Sequence, residues 1–168
     1  MKYKKGLSTI IVTVLLVGLS LAIVGIVWGV VNGMVKKQLG STESCFNIYG
    51  KVSINGLYTC YNRTDSKTHF SINIGDINVD KVIVAILSTG NTKTFTITND
   101  AQTIENLANY GSTGFGIDSI ILPGKNSGQT YIAQGFPDVP GVIKISPVIK
   151  GQQCDVSDSS FDIGECSP

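Results

Sequence analysis

A chain of 168 residues with a net charge of +1 and only 15% charged side chains has neither the basic excess of a nucleic-acid surface nor the imbalance that strongly charged substrates call for. Its apolar content is concentrated: from Leu7 to Val35 there is no Asp, Glu, Lys, Arg or His, whereas Ser, Thr, Asn and Gly abound after Lys36. One chain therefore meets two solvents.

In chain order, the apolar run comes first, preceded by Lys2, Lys4 and Lys5. As a helix it would be about 43 Å long at 1.5 Å per residue, against a bilayer core of about 30 Å, so it spans with turns to spare. The N-terminal lysines outweigh Lys36 and Lys37 on the far side, which keeps the N-terminus cytoplasmic and sends the remainder out. A secretory signal would have a shorter apolar core and an A-x-A-like cut after it, and "LSLAIVGIVWGVVNGMV" has no such break. Within the run Gly25, Gly29 and Gly33 recur every four residues, and Gly18 with Ala22 makes a second small pair. Such spacing lays flat stripes along a helix where another helix backbone approaches closely.

"GSTES" contains turn-forming residues and places the helix end near residue 40, so residues 7–40 form the membrane helix and residues 41–168 an outer domain. All four cysteines, Cys45, Cys60, Cys154 and Cys166, lie in that outer domain. An even count on the extracellular side points to disulfides rather than free thiols. Three pairings are open. The local one, Cys45 with Cys60 and Cys154 with Cys166, ties down the two ends of the domain, and closing the first loop contributes on the order of 3 kcal/mol in the chain-entropy model. Zinc is disfavoured because there is no C-x-x-C and the sole histidine, His69, has no cysteine nearby in sequence. Asn62 in "NRT" matches a glycosylation acceptor and sits in a turn-like region outside the membrane.

Beyond this point the pattern changes to period two. In "THFSINI" Phe70, Ile72 and Ile74 alternate with Ser71 and Asn73, as in a half-buried strand. "VIVAIL" (82–87) is apolar on both faces and reads as a central, covered strand, followed through the turn "STGN" by the alternating "TKTFTIT" (92–98). "NDAQTIENLANYG" places Ile104, Leu107 and Ala108 at helical spacing between a cap at Asn99 or Asp100 and a stop at Gly111, which predicts a short surface helix. "IDSIIL", "QTYIAQ" and "VIKISPVI" follow as strands. The whole is predicted to be α+β: a long hydrophobic helix, then an antiparallel, immunoglobulin-like β-sandwich.

Chemistry-bearing residues are sparse. "DINVD" (Asp76, Asn78, Asp80) opens like a calcium loop, but Lys81 stands where glycine is needed and Leu87 where glutamate is needed. A solvated strand face is the better reading. Asp155, Asp158, Asp162 and Glu165 mark an acidic, strand-free end. His69 falls in the polar register of a strand with no nucleophile in a recognisable motif, so no catalytic activity and no cofactor are expected.

The residues "KKGLSTIIVTVLLVGLSLAIVGIVWGVVNGMV" resemble the class III signal peptide and core helix of type IV pilin-like proteins, among them archaeal pilins and archaellins. The resemblance covers about the first 35 residues. It implies that residues 1–6 are a cytoplasmic leader, with prepilin peptidase cutting between Gly6 and Leu7 and Lys4 and Lys5 as its charged part. It also implies assembly into a homo-oligomeric surface filament by an assembly platform in the membrane, with no nucleic acid involved. Ile11 occupies the fifth mature position, where bacterial major pilins carry glutamate, and Leu7 stands for their phenylalanine, which points to the archaeal branch. The rival expectation is a signal-anchored, single-pass surface protein whose β domain binds a ligand.

Overall fold

The computed structural model describes residues 9–46 and 48–167. The chain divides into two compact units, Met1–Glu43 and Ser44–Pro168. The described residues of the first lie in helix α1, Thr9–Phe46, whose last three residues belong to the second. It runs through Gly40 and Ser41, where the sequence predicts a stop. A glycine inside a helix costs only about 1 kcal/mol, which a helix already propagated over many turns absorbs. The chain turns instead at Ile48–Gly50, where Gly50 takes φ 74°.

Among the described residues the second unit contains ten strands: β1 (Val52–Ile54), β2 (Cys60–Asn62), β3 (Lys67–Ile74), β4 (Lys81–Ser88), β5 (Asn91–Thr98), β6 (Leu107–Asn109), β7 (Ser127–Gln134), β8 (Val142–Ile149), β9 (Gln152–Gln153) and β10 (Asp158–Phe161). They form two five-stranded sheets whose ladders are antiparallel. In the first the order is β1-β3-β7-β6, and β2 also pairs with β3. In the second it is β10-β8-β4-β5, with β9 also on β8. β1 and β2 share one edge of β3, at Ile72–Ile74 and Lys67–His69 respectively.

The alternating apolar positions do what their period implies. Phe70, Ile72 and Tyr131 from the first sheet and Val82, Val84, Ile86, Ile97, Ile143 and Ile145 from the second are buried in one hydrophobic cluster. Each such side chain removed from water contributes roughly 1.5–3 kcal/mol. β4 is central, between β8 and β5, but its other face, Ile83, Ala85 and Leu87, is only half-buried rather than fully covered.

Further expectations need correction. The predicted short helix at 99–111 is absent: the chain there makes a bridge from Gln102 to Ile120 and then forms β6, with Leu107 opposite Ala133. Three apolar residues at helical spacing lose to a sheet edge on which Leu107 and Ala108 are buried. "IDSIIL" is not a strand beyond that one bridge at Ile120. The acidic end is not strand-free, since β10 lies within it. The disulfides join Cys45 to Cys154 and Cys60 to Cys166, across 109 and 106 residues, rather than locally. The sheets bring each N-terminal cysteine beside a C-terminal one, and loops of this length are each worth about 4.7 kcal/mol in the chain-entropy model, more than the short loops.

Candidate functional site

Within α1 the segment Ile10–Val35, 26 residues, is long and apolar enough to cross a membrane. Its described side chains are all exposed, and all but Thr13, Ser20 and Asn32 are apolar or glycine. Such a surface belongs in lipid or against other helices rather than in water. Its two hydroxyls are satisfied locally: Thr13 Oγ1 donates to the carbonyl of Ile10 at 2.9 Å and Ser20 Oγ to that of Val17 at 2.8 Å. Neither therefore presents an unpaired donor to hydrocarbon.

A Cβ placed on Gly18, Gly25, Gly29 or Gly33 meets nothing within 4 Å. Ala22 is likewise exposed. Since each helical glycine costs about 1 kcal/mol relative to alanine, these stripes have a price that no contact inside the unit returns. Lys4, Lys5, Gly6 and Leu7 lie outside the described residues.

In the second unit, Ile48, Ile149 and Cys154 form a small buried cluster with Cys45 and Ile77 packed against it. It lies at the end of the sheets where β3 finishes: Ile74 pairs with Val52, the Gly75 N–H donates to Lys51 O at 2.7 Å and the Lys51 N–H to Ile48 O at 2.8 Å. The opposite end, roughly 25 Å away along eight-residue strands, carries an open cleft of about 540 Å³ lined by Tyr61, Arg63, Ser66, Thr89, Pro137, Asp138 and Val139. Three turns build it: those before β3, between β4 and β5, and between β7 and β8. Arg63 is held by an ion pair with Glu165, and the Tyr61 hydroxyl, buried, donates to the carbonyl of Phe136 at 2.9 Å.

The remaining candidates have structural employment. Asp76, Asn78 and Asp80 lie in the loop between β3 and β4, not on a strand face. Asp80 accepts from the Gly151 N–H at 2.8 Å and Asp76 pairs with Lys125 at 3.5 Å, so they do not converge on one point. Asp158 accepts from the Ile54 N–H at 2.8 Å, tying β10 to β1, while Asp155 and Asp162 are exposed. Asn62, half-buried in β2, accepts from the Thr64 N–H at 2.9 Å. Burial raises the Tyr131 phenol well above its ordinary pKa, and its hydroxyl donates to Ile121 O at 2.6 Å.

His69 is not a bland surface residue. It is the register partner of Cys60, and its ring meets Tyr110 edge-on at 5.7 Å between centroids. Partial burial, then the charge of Lys67, lower its pKa, with Asp65 opposing. Sequence separation from any cysteine concealed this, because the neighbourhood is made by strand pairing. Comparison with protein-family models, curated proteins and solved structures finds no match for this chain.

Proposed function

We propose that this chain is a structural subunit of an archaeal type IV pilus-like surface filament, serving adhesion or archaellum-like motility, with no catalytic activity of its own. The observation that carries the reading is α1: exposed and predominantly apolar along its length, with small-residue stripes at Gly25, Gly29, Gly33 and Gly18–Ala22, where a Cβ built on any of the four glycines meets nothing within 4 Å. Before assembly such a helix lies in the bilayer with its N-terminus cytoplasmic. After assembly it exchanges lipid contacts for contacts with copies of itself, and small residues let those backbones approach. Prepilin peptidase would cut after Gly6, removing Lys4 and Lys5 from the helix end and leaving Leu7 first, and an assembly platform would extract the subunit. The long-range disulfides fit an outer domain in an oxidising compartment, here taken as an immunoglobulin-like sandwich displayed on the filament surface.

The test is the mass of the native N-terminus. A chain beginning at Leu7, recovered in sheared filaments, is the expected result. Gly6→Trp should leave the leader attached and the protein in the membrane. If that variant is still shortened and assembled, the cleavage reading is wrong.

The cleft at the end of the domain remote from Cys45 favours a second reading, a signal-anchored single-pass protein with a ligand-binding domain. In that case the native chain retains Met1 and is absent from filaments.

A further inference from the structure

Cys60, His69 and Cys166 come from three separate places in the sequence, yet one ligand atom of each lies within 4.8 Å of the other two. All three residues are half-buried, so water has access to the point they surround. Cys60 and Cys166 are joined here by a disulfide, and backbone pairing brings the same residues together beside it. The β2–β3 register sets Cys60 opposite His69. The C-terminal segment is held to β2 by backbone bonds, the Tyr61 N–H donating to Gly164 O at 2.8 Å and the Cys166 N–H to Tyr61 O at 3.1 Å. The Arg63–Glu165 ion pair adds a side-chain tie beside it.

Every cysteine enters a new chain as a thiol, so the domain has a dithiol form before its disulfides close. We propose that in this form Cys60, Cys166 and His69 hold a zinc-class d10 cation, two thiolates and an imidazole leaving a fourth position for water. Two soft sulfurs and one ring nitrogen are the donor set that such cations select, and three protein ligands with an open position suit a tetrahedral ion. Binding displaces the two thiol protons to solvent. The cation and the disulfide are alternatives, since both use the same two sulfur atoms. A bound cation would hold the C-terminal segment on β2 and keep these cysteines from pairing with Cys45 or Cys154 until oxidation joins them. The site stands whether or not the chain assembles into a filament.

The experiment uses the full chain in detergent micelles, reduced with a water-soluble phosphine. The phosphine gives two electrons to each disulfide and leaves as its oxide with the oxygen of one water, whose two protons become the thiol protons. Cobalt(II) is then titrated as a spectroscopic stand-in for zinc. The expected result is one equivalent giving the intense visible bands of tetrahedral cobalt and a thiolate charge-transfer band, both abolished by zinc. His69→Ala should bind at least tenfold more weakly, whereas Cys45→Ser combined with Cys154→Ser should bind as the parent does. Absence of the tetrahedral bands, or equal binding by His69→Ala, overturns the proposal. If reduction unfolds the domain, the same titration is followed by circular dichroism. Zinc should then restore the β signal in the parent but not in His69→Ala, and failure to restore it in the parent also overturns the site.

Discussion

The two units solve the burial problem in opposite ways. In the unit Ser44–Pro168 the apolar side chains of two sheets bury one another, and Phe70, Ile72, Tyr131, Val82 and Ile145 are withdrawn from water by partners in the same unit. In α1 the apolar side chains from Ile10 to Val35 are all exposed. The sheet unit carries its solvent-excluded interior with it, whereas the helix leaves its burial to whatever surrounds it. The difference teaches where specificity resides. The sheets specify register by alternation, but a mostly apolar helix has little beyond shape to specify its neighbours, and the stripes of small residues are its main departure from uniform bulk, with Thr13, Ser20 and Asn32 as isolated polar points.

The most forceful way to break this contrast is to open the core. Phe70 is fully buried and packs on Tyr131 with ring centroids 5.5 Å apart. Phe70→Ala should destabilise the outer domain by about 3–5 kcal/mol, through lost transfer energy and the cavity left behind. Membrane insertion of α1 should be unchanged, because its partition depends on its own side chains. Thermal unfolding of the domain and membrane extraction of the full chain check the two halves of the expectation.

Next in size are the disulfides. Replacing Cys60 and Cys166 by serine should cost about 2–5 kcal/mol, seen as a lower midpoint in denaturant with the β signal retained. Peptide mapping without reduction should find Cys45 with Cys154 and Cys60 with Cys166. A Cys45–Cys60 peptide would contradict the topology. These bonds connect the beginning of the outer domain to its end, so they also test whether the two sheets close as described.

The smaller effect on the helix side sharpens the comparison. Gly29→Leu adds bulk where nothing in the unit would meet it, so the melting of the outer domain should not move. Association between copies of the chain in a bilayer should weaken by about 1 kcal/mol, the order of single interhelical contacts in membranes. Energy transfer between labelled chains in vesicles reads this. An unchanged association would leave the stripes without a role.

The helix was legible because composition alone defines it; no tertiary knowledge is needed to see a 26-residue segment of high mean hydropathy with no charged side chain. Of the eight-residue strands, β3 and β5 were legible by their period of two, β4 as a short run apolar on both faces, and β7 and β8 as runs set off by turn residues. β1, β2, β6, β9 and β10 run two to four residues, too few to display a period. Their strand character comes from the neighbour whose edge they cover, as Leu107 shows by pairing with Ala133. The disulfide partners follow from strand order in the same way, and strand order is a property of the folded chain. Cys60, Cys166 and His69 were each visible as residues, while their convergence was not.

His69 gives the finest probe of the folded domain, being the only histidine in the chain and hence a single resolvable titration. Partial burial disfavours the charged imidazolium, Lys67 adds repulsion, and Asp65 offsets part of this, so the folded-state pKa lies below 6.5. In the unfolded chain the group returns to about 6.5. Between these two values the unfolded state binds more protons than the folded one, so stability rises with pH through the window and falls as pH drops below about 6.5. The effect is small because the ring is only half-buried. The chemical shifts of the imidazole, followed in the oxidised domain, should show a midpoint below 6.5, and His69→Gln should remove this contribution to the acid slope of stability. A midpoint at or above 6.5 in the folded domain would mean that the ring is open to water, and that the pairing of β2 with β3 around Cys60 is looser than described.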